Sequence, residues 1–268
     1  MANRQQFSEM VIYIESCNSG SMLEHLPSNV QVYGVSAADP NNPSCACYLD
    51  KVRHAYIADE FSAHWLLHCK MSDLTRTTFQ NQFQYLRSQV KQSTPCQYGN
   101  NILCQRFISD FLGCPDSRTR EAHARTAHTF KPTHLTASHE VPMVLLNMKI
   151  EKERDPTRKR ALQRDYDNRQ QKRDRIERTM RTIASRARPE QTLRAGGSFE
   201  GPSPMTHLHN MKEVAEHFRL TFRELHGEQE DVTFLLHHIH VFDDLLRARA
   251  EVHRIKGAIT HVYSTQRF

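Results

Sequence analysis

Cys17 is the residue around which chemistry could be organised. It follows Met10-Val-Ile-Tyr-Ile14, five apolar residues without polar alternation, which predict a short strand buried on both faces of a parallel sheet. The run breaks at Glu15-Ser16-Cys17 and passes into Asn18, Ser19, Gly20 and Ser21, residues suited to tight turns. Open α/β sheets place reactive groups at the carboxyl ends of their strands, so this position suits a nucleophile. A thiolate, a base to generate it and donors for an oxyanion would make it a site of acyl transfer, and the Cys17 backbone N–H could be one such donor. The competing reading is that Cys17 is a small buried hydrophobe, as most free cysteines are.

The other groups that could do chemistry are less well placed. Cys45, Cys47, Cys69, Cys96, Cys104 and Cys114 complete an odd set of seven. Cys45-Ala-Cys47 is too tight for the usual paired spacing of a zinc site, so these thiols read as structural or incidental and no metal is expected. Among 17 histidines none is marked as a base by its spacing, and His226-Gly227 reads as a helix end. Glu15 could be a solvated turn carboxylate, and Asp59 a helix N-cap before Phe61.

The elements that must position these residues can be read in outline. Val30–Val35 predicts a second strand, Ala37–Ser44 a loop, Tyr56–Asp59 a short strand or turn, and Phe61–His68 a helix. Ser72-Asp73 looks like an N-cap for an amphipathic helix to residue 91, with Leu74, Phe79, Phe83, Leu86 and Val90 inward. Cys104–Leu112 reads as a further strand, residues 115–142 as a polar connecting arm, and Val141–Ile150 as a segment that joins the sheet or begins a linker. Residues 157–188 read as one long basic helix, and the glycines and prolines of 196–204 as a linker. Leu208 to Leu225, closed by Gly227, then a helix capped by Asp231, then Val252 to Val262 predict a three-helix domain.

The net charge of +6 is concentrated in residues 151–194, where 15 Lys/Arg face 8 Asp/Glu. A basic helix can meet phosphate, but interleaved Asp165, Asp167, Asp174 and Glu177, with Tyr166 alone for stacking, favour an ion-paired solvated helix and argue against nucleic acid. No stretch approaches the roughly 20 apolar residues that span a bilayer, and Met1–Phe7 has no apolar signal core.

The stretch Glu15-Ser-Cys-Asn-Ser-Gly-Ser-Met22, then Leu26-Pro27, Val32-Tyr33 and Ala37-Ala-Asp-Pro40, closely resembles the legumains, asparaginyl endopeptidases of peptidase family C13, in the clan with the caspase fold. The likeness continues through Ala46-Cys-Tyr48, Tyr56, Asp59, Tyr98-Gly-Asn100, Pro132-Thr-His-Leu135, Val141-Pro142 and His253-Arg-Ile-Lys256. It implies an α/β fold: a partial caspase-like sheet with flanking helices over 1–150, a basic linker or activation-peptide helix over 151–205, and an α-helical prodomain over 206–268. It makes Cys17 the nucleophile and matches Glu15, Ser44 and Asp59 to the pocket that accepts an Asn side chain, or less often Asp. No cofactor is implied.

The family's base, a His-Gly at the end of the preceding strand, and its pocket arginine would fall before Met1. The chain is therefore expected to be amino-terminally truncated and inactive by itself. Peptide and protein substrates, a prodomain lying over the active site, and a lysosomal, vacuolar or secreted location are further implications. Departures from the family pattern are the absence of cysteine after Cys114, where prodomain disulfides are usual, and of the Asn cleaved for self-activation. The nearest asparagines are Asn147 and Asn168, with Asp155 an alternative cleavage point. A non-catalytic binding or inhibitory module built on the same pocket is the alternative function. Nine histidines from His207 to His261 would charge as pH falls and loosen the helical domain.

Overall fold

The computed structural model describes residues 4, 6–114, 131–189, 203–222 and 229–265. Contacts divide the chain into two compact units, Met1–Leu145 and Leu146–Phe268.

The first unit is mixed α/β. Strand β1, Met10–Ile14, pairs in parallel with β2, Val32–Ser36, in the register Met10↔Val32 to Ile14↔Ser36. β5, Cys96–Gly99, pairs antiparallel with the other edge of β2. A second sheet joins β3, Cys45–Asp50, to β4, Ala55–Asp59, and to the two-residue β6, Thr136–Ala137, both antiparallel. The expected parallel sheet is thus one parallel pair within a small mixed sheet, beside a second sheet that is wholly antiparallel. β2 is buried throughout, whereas every residue of β1 is half-buried, so β1 is a less enclosed strand than its apolar run predicts.

Helix α1, Glu60–Met71, follows β4 directly, and α2, Phe79–Gln89, packs against it. Tyr33, Val35, Phe61, Leu74, Phe79, Leu86 and Ile108 form the core between these elements. α2 starts at a capping box in which Thr78 and Asn81 satisfy each other's backbone N–H groups. The Ser72-Asp73 pair instead shapes the preceding turn, where Asp73 Oδ1 accepts from Thr75 N–H and O–H. The expected strand at Cys104–Leu112 is a 3-10 turn, Leu103–Gln105, followed by the short helix α3, Ser109–Leu112. Short apolar runs such as Phe107-Ile108 fit either period, and Ile108 reaches the core from a helical turn. Val141–Lys152 is helix α4 and adds no strand to the sheet. Residues 115–130 of the expected arm lie outside the described residues.

The second unit is helical. α5, Pro156–Ala187, begins with Asp155 capping Thr157 and Arg158 N–H. α6, Pro204–Thr221, α7, Gln229–His237, α8, His240–Arg247, and α9, Val252–Thr265, follow. The expected middle helix is thus two, broken at residues 238–239; Asp231 lies inside α7, and Gly227 falls outside the described residues. Ile176, Met180, Ile183 and Ala187 enter one core with Phe218, Phe222, Leu235, Phe242, Ile255 and Ile259. The solvent side of α5 carries i,i+4 pairs such as Arg169–Asp165 at 3.1 Å and Arg181–Glu177 at 3.0 Å, each contributing only a few tenths of a kcal/mol. Arg173 is the exception, 4% exposed with its guanidinium 4.4 Å from the Phe234 ring centre. The basic helix is therefore solvated along one side and part of a hydrophobic core along the other. No described helix is long and apolar enough to cross a membrane.

Candidate active site

Cys17 sits in the turn that leaves the carboxyl end of β1, and backbone hydrogen bonds fasten that turn to the loop after β2. Asn18 takes a left-handed conformation, φ 56°; its N–H donates to Asn42 O at 2.9 Å and its side-chain amide to Pro40 O at 3.0 Å. Gly20 N–H donates to Ala38 O at 2.9 Å, and the buried Ser19 hydroxyl accepts from Ala38 N–H at 3.0 Å. The receiving loop is set in turn by Asp39, whose Oδ1 accepts from Asn41 and Asn42 N–H. Glycine is required at position 20, because a Cβ there would lie 2.5 Å from Tyr98 Oη and 2.7 Å from Pro40 backbone N.

The thiol is half-buried, with Sγ 3.9 Å from both the carbonyl oxygen and the hydroxyl of Ser44. Among the described residues the Cys17 N–H has no hydrogen-bond acceptor, leaving it available as an oxyanion donor. No described histidine hydrogen-bonds Cys17. The remaining sheet thiols behave differently. Burial, with nearby carboxylates adding to it, pushes Cys45 up to about 11 and Cys47 up to about 12, so both stay protonated and unreactive at neutral pH. Cys69 is pushed up to about 11 by burial.

Of the three residues expected to line a pocket, Ser44 lies against this thiol, and Glu15 lies near both Ser44 and Asp59. Ser44 is 4% exposed and is tied to the far end of the second sheet, where Ser138 N–H and O–H both donate to its carbonyl at 3.0 Å. Glu15 directly follows β1, and its Oε2 accepts from Ser62 N–H at 2.9 Å and Ser62 O–H at 2.8 Å. Its Oε1 is buried without a hydrogen-bond partner among the described residues. Burial pushes the Glu15 carboxyl up to about 7, the Asp59 charge adds to the rise, and the Ser62 and Ser44 hydroxyls pull against it. Asp59 ends β4, paired in register with Ala46, and its carboxyl is raised by burial. It occupies the N-cap position of α1 but makes no side-chain capping bond. Glu15 is likewise no solvated turn carboxylate.

Two residues that matter here were not singled out by sequence reasoning. Ser62 carries both donors to Glu15, and its only sequence mark is its place in the first turn of a helix that begins at Glu60. Ser138 fixes Ser44 from 94 positions away, and nothing in its polar surroundings marks it. Glu60, 1% exposed, is a buried carboxylate of a different kind: its two oxygens accept from Lys91 and Gln92 N–H at 2.9 and 3.0 Å, which anchors the end of α2. His68 belongs to the core, 7% exposed, and burial holds it down at about 4, neutral at physiological pH. Among the described residues no cluster of His, Cys, Asp or Glu is arranged to hold a metal ion.

Residues 1–114 match the Peptidase C13 family. The chain is 31% identical to the legumains of Pongo abelii and Homo sapiens, in alignments that cover 98% of this chain and 59% of each relative. It is 25% identical to the vacuolar-processing enzyme delta-isozyme of Arabidopsis thaliana over 57% of this chain and 36% of that protein. The chain thus spans about three-fifths of the length of the legumains it matches.

Proposed function

This chain belongs to the peptidase C13 family, and from that premise we propose that it carries the nucleophile and part of the specificity pocket of a cysteine endopeptidase that cleaves after Asn, and less often after Asp. The observation that carries the reading is the contrast among thiols. Cys17 alone combines a strand-end turn, partial exposure and an unoccupied backbone donor, while Cys45 and Cys47 are buried and protonated. In the proposed reaction the Cys17 thiolate attacks the scissile carbonyl carbon, and the Cys17 N–H stabilises the resulting oxyanion. The amine leaves with a proton, and water hydrolyses the thioester. The base that makes the thiolate is the part no described residue supplies. A side-chain amide needs an acceptor for its NH2 and a donor for its carbonyl; Glu15 and Asp59 offer acceptors and Ser44 a hydroxyl.

The helical second unit is proposed to be a prodomain that keeps the peptidase latent, with α5 as the activation segment. A lysosomal or vacuolar setting is part of the same proposal, the vacuolar one suggested by the Arabidopsis relative's name. Because no described base faces Cys17, a second reading is kept: a non-catalytic binding or inhibitory module that uses the same pocket.

Labelling with a thiol-directed peptide reagent ending in Asn separates the two. A peptidase centre predicts selective modification of Cys17, abolished by Cys17→Ala and blocked by excess Asn peptide. Binding of the Asn peptide without selective modification of Cys17 would leave only the binding module, and modification of Cys114 and other thiols at the rate of an Ala-ended reagent would overturn the pocket itself.

A further inference from the structure

Helix α1 opens with an exchange of roles. A helix leaves its first N–H groups without intrahelical partners, and the N-cap side chain normally satisfies one of them. Asp59 stands at that position and does not cap. Ser62 N–H, in the first turn, donates instead to Glu15 Oε2, a group 47 residues earlier on another element, and the Ser62 hydroxyl donates to the same oxygen. The two carboxylate oxygens of Glu15 are thereby made inequivalent. Oε2 is held by two donors, while Oε1 is buried and meets no hydrogen-bond partner among the described residues, with the Ser44 hydroxyl near the same carboxyl. A buried acceptor without a partner is costly, and a donor that reaches it removes that cost.

We propose that Ser62 is the positioning residue of the specificity pocket: by holding Glu15 Oε2 with both its N–H and its O–H, it reserves Oε1 for the side-chain amide of the substrate's asparagine. Because Glu15 caps the helix from outside, the Asp59 carboxylate is also released from capping and left beside it. This inference rests on the peptidase-site reading above, since it names what sets the geometry of that same pocket. The upward displacement of the Glu15 carboxyl, which the Ser62 hydrogen bonds partly oppose, fits the arrangement.

The test uses the full chain with Ser62→Ala and Ser62→Thr. Ala keeps the backbone donor and suits a helix, so it removes one hydrogen bond and preserves the element. Two quantities are read: the titration of the Glu15 side-chain carboxyl by 13C NMR, and the affinities of short peptides ending in Asn or in Ala by calorimetry. A hydrogen bond to a charged acceptor is of a size that predicts, for Ser62→Ala, a Glu15 titration about one pH unit higher and roughly tenfold weaker binding of the Asn peptide. The Ala peptide is unaffected, and Thr, which retains the hydroxyl, restores both values. A wild-type chain that binds the Asn peptide no better than the Ala peptide overturns the pocket reading and this inference with it. A wild type that discriminates, together with a Ser62→Ala variant that discriminates equally, overturns the positioning role alone. Loss of thermal stability without change in Glu15 titration or peptide preference would make the contact a helix cap and nothing more.

Discussion

At the residue scale, Glu15 shows a site group held at a cost to stability. Its carboxyl is raised to about 7 in the folded chain, against an ordinary value near 4.3 when unfolded. The folded state therefore holds the proton more tightly, and the stability this gives is fully present at low pH and is lost as pH rises from the unfolded value through about 7. The full effect is about 3 kcal/mol. Glu15→Gln keeps an acceptor for Ser62 and removes the ionisation. The variant should match the wild type in thermal melts at pH 4 and exceed it at pH 7.5, while losing selective labelling of Cys17 by the Asn reagent. Parallel melting curves for the two proteins across that range would mean that Glu15 ionises without penalty. His68, held down at about 4, acts with the opposite sign, since its contribution is lost as pH falls; the difference between variant and wild type isolates Glu15.

At the element scale, the turn carrying Cys17 is fixed by another loop. Asn18 and Gly20 bond to the Ala38–Asn42 segment, and Gly20 lies against Pro40 and Tyr98. Gly20→Ala forces a methyl group into backbone and should destabilise the first unit by about 1–3 kcal/mol. It should also slow Cys17 modification by the Asn reagent more than modification by iodoacetamide, because the turn moves relative to Glu15 and Ser44. Equal slowing by both reagents would show that only thiol exposure had changed. The element-level misreadings have a common cause. Ser72-Asp73 and the Cys104–Leu112 run were assigned by local chemistry, and in each case a neighbouring segment decided otherwise: Thr78 and Asn81 start α2, and Ile108 N–H bonds Thr77 O across the loop.

At the scale of the whole molecule, two cores stand side by side in the sequence, one built on Tyr33, Phe79 and Leu86 and the other on Phe218, Phe222 and Phe242. Phe242 is fully buried and meets the Phe218 ring edge-on at 5.3 Å. Phe242→Ala should cost the helical unit about 3–5 kcal/mol and lower one of two calorimetric transitions, leaving the other in place. A single transition that moves as a whole would show that the units melt together. The histidines expected to loosen the helical unit together do not act alike. His217 is held down mainly by burial, so its charging opposes folding as pH falls, while the His207 ring is tied to Asp243 at 2.6 Å.

Much of the site was legible because its signals are local. An apolar run followed by turn residues marks a strand end from composition alone, and Cys17 falls there; the resemblance carried by Glu15–Met22 supplied the rest of its reading. The helical stripes of the second unit were legible because 3.6-residue periodicity survives without knowledge of partners, although the break at 238–239 was not. What the tertiary structure decided are contacts between residues far apart in the chain. Two serines, Ser62 and Ser138, reach Glu15 and Ser44 across 47 and 94 positions, the first turn of α1 is capped by Glu15 and not by Asp59, and Arg173 is drawn into an apolar core. None of these leaves a pattern along the chain, because a hydrogen bond or a desolvated charge depends on which groups meet in space and on how much water is excluded when they do.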